Sequence, residues 1–206
     1  MAVTADQERG QTRLWLSQQR KPERDCAVMR AFLRALGIAY SAAEIVVPGA
    51  APVDVQFREA QFHVRELRDH LCGRHGQEHA GVHQSRAYAN GGTPDALTEG
   101  RQRAVLLAHV TAVLAPHAAW YGARCTELDA LVMVDECQRL LVPPAPMTGV
   151  AALPRQGWRS VSVWWPPAAL VLYTADGAPA FLRDGTGQRR RHAEHDAWTH
   201  ADARRA

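Results

Sequence analysis

The chain has 206 residues, 47% hydrophobic and 22% charged, which is the composition of a soluble globular protein with enough length to bury one sizeable core. A net charge of +3, from 24 basic and 21 acidic residues, permits contact with an anionic partner without demanding one. The four cysteines, Cys26, Cys72, Cys125 and Cys137, form no C-x-x-C pair, no charged-then-apolar leader opens the chain, and no apolar run of membrane-spanning length stands out, so a cytoplasmic protein with reduced thiols is expected.

Residues 1–20 are polar apart from Leu14, Trp15 and Leu16 and read as a loose lead-in. After Pro22, Cys26, Met29, Leu33 and Leu36 recur at helical spacing up to Gly37, which predicts an amphipathic helix with a proline in its first turn and a glycine stop. "EIVVPG" then reads as a short strand.

The stretch "PVDVQFREAQFHVRELRD", residues 52–69, alternates apolar and polar residues twice and predicts a β-hairpin. With the loop at 58–61, Phe57 faces Phe62, Val55 faces Val64, Gln56 faces His63, and Asp54 faces Arg65. The apolar side chains then share one face, and Asp54, Gln56, His63 and Arg65 share the other.

Residues 70–92 are rich in His and Gly and read as an irregular insertion. His70, Cys72, His75, His79 and His83 are zinc-ligand types, but Gly73, Gly76 and Gly81 oppose the helix that would align three of the histidines, so a polar loop is the favoured reading. Thr93 and Pro94 open a long helix carrying Val105, Leu106, His109, Val113 and Leu114 along one side until Pro116 interrupts it. "LDALVMVD" has the continuous apolar character of a central strand covered on both faces. "WRSVSVWW" and "ALVLYT" predict two more strands separated by Pro166 and Pro167, and "APAFLRD" a last short apolar element. The stretch 186–206 reads as a disordered polar tail, which leaves one domain over residues 21–185. This order of elements predicts an α/β (α+β) fold, a mixed central sheet flanked by helices.

A divalent-metal phosphodiesterase needs carboxylates around a hard cation, an activated water, and a cation to offset charge on the phosphate. The predicted hairpin aims Asp54, His63 and Arg65 to one side, which would serve that chemistry. Each also has a structural reading: Asp54 and Arg65 as a cross-strand ion pair, His63 as a solvated or hydrogen-bonded imidazole, and Glu23 as an acid at a helix N-terminus. Trp158 and Arg159 could stack on a base and contact a phosphate, although a packed anchor with an exposed arginine is the commoner use of such a pair.

The segments "KPERDCAVMRAFLRALGIAY", "PVDVQFREAQFHVRELRD", "LDALVMVD", "RQGWRSVSV" and "APAFLRD" together resemble a small bacterial family described as endonucleases of otherwise unknown function. That family is placed with the restriction-endonuclease-like fold of the PD-(D/E)XK superfamily, distantly akin to archaeal Holliday-junction resolvases. The resemblance implies a restriction-endonuclease-like core in which Asp54 is the first motif acid, Glu23 the assisting helix acid, and His63 and Arg65 stand where the superfamily has Asp or Glu and then Lys. It implies Asp54, His63 and Arg65 as catalytic residues, Asp54, Glu23 and His63 as ligands of Mg2+ or Mn2+, and Arg74 and His75 as contacts to DNA, including branched or single-stranded DNA. Homodimers are frequent among nucleases of this fold, so a homodimer is expected by analogy. Two signature positions depart from the pattern: imidazole brings no negative charge to a hard cation, and a guanidinium does not readily release a proton to act as a base. A nuclease fold that has lost turnover and serves as a nucleic-acid-binding or protein-interaction module is the alternative.

Overall fold

The computed structural model describes residues 21–67, 96–134, 156–165 and 168–191, without the side chains of 96–103, Arg189 and Arg191. The first helix, α1 (Lys21–Leu36), forms because Val28, Met29, Phe32, Leu33, Ala35 and Leu36 recur along one side, and all are buried. Pro22 sits in its first turn, where a missing N–H loses no helical bond. Gly37 closes the helix at φ 73, with its N–H donating to the Arg34 carbonyl at 2.9 Å.

Strands β1 (Ile45–Val46), β2 (Val55–Phe57) and β3 (Ala60–Leu67) pair antiparallel in succession, β1 with β2 and β2 with β3. Helix α2 (Ala96–Tyr121) precedes β4 (Asp129–Val134), which lies parallel to β3 and to β5 (Ser160–Trp165). Strands β6 (Ala168–Thr174) and β7 (Arg189–Arg191) complete the sheet antiparallel, with the four-residue helix α3 (Ala180–Arg183) between them. The result is one mixed sheet of seven strands in chain order, among the described residues, flanked by helices: the α+β architecture expected.

Both faces of the sheet are covered. On one, Val55, Phe57, Phe62 and Val64 pack with Leu131, Trp164 and the apolar side of α1. On the other, Leu106, Val110 and Leu114 of α2 pack against Leu67, Val132, Val163 and Leu170. Each fully buried aliphatic or aromatic side chain here contributes about 1.5–3 kcal/mol of hydrophobic stabilisation. The strand β4 is buried on both sides, as its continuous apolar run predicts.

Several expectations change. The hairpin turn is Arg58-Glu59 rather than 58–61, so Phe57 pairs with Ala60, Gln56 with Gln61 and Val55 with Phe62. This is a shift of two residues, which preserves both faces because side chains alternate with period two. The polar face of the hairpin is not a wet side of the sheet, since α2 covers it and His63 is fully buried. Helix α2 continues through Pro116. Among its described side chains, the buried positions are Leu106, Val110 and Leu114, while Val105 is exposed. The stretch Ala104–Glu127 is also long and apolar enough to cross a membrane by length and composition, contrary to expectation. In the fold it is a helix laid on a sheet, with its deepest side chains in the core. "APAFLRD" supplies the short helix α3, and Arg189–Arg191 add a strand inside the stretch expected to be a tail. The lead-in 1–20, the insertion 70–92 with His70, Cys72, His79 and His83, and residues 192–206 lie outside the described residues.

Candidate functional site at the end of the hairpin

Asp54 precedes β2 and continues its pairing: its N–H donates to the Phe62 carbonyl at 2.9 Å, which sets it beside His63 on β3. Its carboxylate then takes the place of a strand carbonyl, with Oδ2 accepting the Val64 N–H at 2.9 Å and Arg65 Nη1–H at 3.1 Å. Oδ1 accepts from the ammonium of Lys21, which opens α1. The same ammonium donates to Asp25 Oδ2 at 2.5 Å, one helical turn on. Lys21 therefore bridges two carboxylates from two elements. Asp25 is 2% exposed; burial pushes its carboxyl pKa up, while Lys21 pulls it back.

His63 lies behind this cluster. Its Nδ1 is 3.0 Å from the Pro52 carbonyl and 3.4 Å from Asp54 Oδ2. Because a carbonyl only accepts, Nδ1 carries the proton of the neutral ring, and the buried Nε2 is left as an acceptor without a hydrogen-bond partner among the described residues. The ring is stacked on Trp158 at 5.5 Å between centroids and meets the edges of His117 and Tyr121. Burial, and then the Arg65 charge, holds the imidazole down to about 4, against the pull of the Pro52 carbonyl and Asp54. His63 is thus neutral at pH 7 and fully buried behind Asp54.

Arg65 connects the cluster to α2. Its Nε–H donates to His117 Nε2 at 3.0 Å, and Nη1–H also donates to the Val64 carbonyl at 2.6 Å. Burial and the Arg65 charge lower the His117 pKa as well, and with Nε2 accepting, the neutral ring keeps its proton on Nδ1.

The structure brings Asp54, His63 and Arg65 together, as expected. Glu23 is exposed and does not join them; the acid of α1 that does is Asp25. Helical geometry explains the substitution, since Asp25 lies four residues from Lys21 on the same side and Glu23 does not. Arg74 and His75 lie outside the described residues. Trp158 and Arg159 take structural roles: Trp158 is 2% exposed beneath His63. Arg159 pairs with the fully buried Asp129, which also accepts from the Gln61 N–H at 3.0 Å and Ser160 Oγ–H at 2.8 Å.

Lys21, Asp25, His117 and Tyr121 were not singled out from the sequence. One signal could have found Lys21: a cation in the first turn opposes the helix dipole, so its place is not explained by the helix itself.

The side chains as placed do not fit a divalent cation. Both Asp54 oxygens already accept from N–H donors, and among the described residues no three His, Cys, Asp or Glu side chains form a metal-binding group.

A family model with the description "Putative endonuclease, protein of unknown function (DUF1780)" matches residues 2–196. The chain is also similar to a solved structure from Pseudomonas aeruginosa strain PAO1, PA4535, a protein of unknown function assigned to the monooxygenase superfamily. The likeness covers 88% of each chain, with 29% sequence identity and a TM-score of 0.59. No curated protein matches.

Proposed function

The chain belongs to the family described as "Putative endonuclease, protein of unknown function (DUF1780)", and from that premise we propose that it acts as an endonuclease on DNA phosphodiester bonds, at the end of the hairpin where Asp54 and Arg65 meet. The observation that carries this reading is the convergence of Asp54, Lys21 and Arg65, an acid and two cations from three segments, on one point. What supports the reading further is a mixed sheet flanked by helices, with this acid just before β2 and this arginine on the adjacent β3. In hydrolysis, water oxygen bonds to phosphorus, one P–O ester bond breaks, and the proton lost by water balances the proton gained by the departing alkoxide. Lys21 and Arg65 offset the added charge on the phosphoryl oxygens. Arg74 and His75 are the proposed flanking DNA contacts, and branched or single-stranded DNA the proposed substrates.

Mg2+ or Mn2+ does not enter this scheme, because the Lys21 ammonium occupies Asp54 on one side and Arg65 occupies it on the other. The same observation favours a second reading, a nuclease-fold module that binds nucleic acid without turnover, since both oxygens of Asp54 already accept from protein donors.

The test is incubation of the purified full chain with supercoiled, branched and single-stranded DNA, in EDTA and with Mg2+ or Mn2+. Cleavage that disappears in a folded Asp54→Ala variant is the expected result. No cleavage under any condition, or cleavage unchanged in that variant, overturns the catalytic reading; salt-dependent binding without cleavage then identifies the module.

A further inference from the structure

We propose that Lys21 is the resident cation of the site: its ammonium holds the Asp25–Asp54 carboxylate pair in the position a divalent metal would take, so that the wild-type site excludes such metals. The inference deepens the reading of Asp54 as the centre of the site and rests on it.

Three observations carry it. First, Lys21 Nζ donates to Asp54 Oδ1 and to Asp25 Oδ2 at once, although these acids come from a loop and a helix 29 residues apart in sequence. Joining two carboxylates from separate elements is the geometric task of a bridging cation, and here a side chain performs it. Second, the remaining carboxylate oxygens face N–H donors or cations. Asp54 Oδ2 holds the Val64 N–H and Arg65, and Asp25 Oδ1 faces Arg24 Nε at 3.8 Å. A hard divalent cation seeks six or more oxygen ligands, whereas the groups closest to these carboxylates are N–H donors. Third, the charge is already satisfied. Lys21, Arg24 and Arg65 surround two carboxylates, so a metal ion would enter a pocket of net positive charge.

The placement of Lys21 supports this role. A lysine at the first residue of a helix faces the positive end of the macrodipole, where an acid would be stabilising. Its side chain is 25% exposed and satisfied by two anions, which offset that cost. The chemical consequence is a site whose phosphate-neutralising cation is built in, so that chelators leave its action on a polyanion unchanged.

The experiment measures Mn2+ binding to the full chain by paramagnetic broadening of the Val64 backbone amide, whose N–H is bonded to Asp54. In the wild type this resonance is expected to stay sharp with equimolar Mn2+. In Lys21→Met it is expected to broaden, with affinity at least about tenfold tighter than wild type, and Asp54→Asn in the Lys21→Met background should restore the sharp line. Lys21→Arg, which keeps the charge, should behave as wild type. Broadening of the wild-type resonance equal to that of Lys21→Met, or a folded Lys21→Met that binds no better than wild type, overturns the proposal. The wild-type measurement stands even if a variant fails to fold. No DNA enters the assay, so failure to cleave DNA bears only on the proposed function and Mn2+ binding only on Lys21.

Discussion

His63 lies nearly parallel to Trp158, with ring planes 17° apart, and this contact buries an imidazole that, among the described residues, has a carbonyl partner at one nitrogen and none at the other. The stack places a titratable ring in the core between β3 and α2, where it must remain neutral for the fold to be at its most stable.

A pH dependence follows from that burial. The folded pKa of His63 is held down to about 4, below its ordinary value of 6.5, so the unfolded chain takes up the proton first. Stability is therefore fully present above pH 6.5, falls as the pH drops from there, and levels off below about pH 4. The loss amounts to up to about 3 kcal/mol. Urea denaturation between pH 7 and pH 4 should show this slope in the wild type and a shallower one in His63→Phe; equal slopes would assign the acid sensitivity to other groups.

The pair Asp129–Arg159 supplies a second prediction. Asp129 is fully buried and accepts from Arg159, Ser160 and the Gln61 N–H, so it ties β4 to β3 and to the start of β5. Asp129→Ala removes the buried acceptor of the Gln61 amide and Ser160 hydroxyl and leaves the half-buried Arg159 guanidinium with only the Glu59 carbonyl, and should destabilise the protein by about 3 kcal/mol. A chemical-denaturation midpoint within experimental error of wild type would refute that assignment.

Two tryptophans give opposite expectations. Trp120 on α2 is 85% exposed, whereas Trp158 is 2% exposed beneath His63. Trp120→Ala should change stability by no more than about 0.5 kcal/mol, and Trp158→Ala should cost about 3–5 kcal/mol. Thermal melts of the two variants, compared at equal pH, decide the matter; similar losses would mean that the outer side of α2 is covered in solution.

How much of this was legible in the sequence depended on whether a pattern was local. The alternation of Val55, Phe57, Phe62 and Val64 against Asp54, His63 and Arg65 defined both faces of the hairpin because side-chain direction follows from strand geometry alone. The register did not follow, because the turn lacks a glycine or asparagine signal. Arg58 adopts φ 52, held by Glu44 at 2.9 Å and the Ala39 carbonyl at 3.0 Å, contacts that only the tertiary fold provides. The inward side of α2 was obscured for another reason: from Ala104 to Ala123 no charged residue marks a wet side, so Leu106, Val110 and Leu114 were indistinguishable from their neighbours. Lys21 was hidden because its partner Asp54 lies 33 residues away. Glu23 was favoured over Asp25 by resemblance, which cannot see that one side chain faces solvent and the other does not.

Pro116 allows a final prediction in which two effects oppose each other. It lies inside α2, where its ring removes one backbone hydrogen bond and crowds the preceding turn, yet the helix continues to Tyr121. A proline in a helix interior costs about 3 kcal/mol relative to alanine. Against this, proline restricts the unfolded chain and returns about 0.4–1 kcal/mol of stability. The helical cost is the larger, and Pro116 is exposed, so Pro116→Ala leaves no cavity in the core. The variant should be more stable than wild type by about 2 kcal/mol, measured as a raised denaturation midpoint at unchanged m-value. Loss of stability instead would show that Pro116 is needed to bring His117 and Tyr121 onto His63, since both follow it on the helix and both touch that ring.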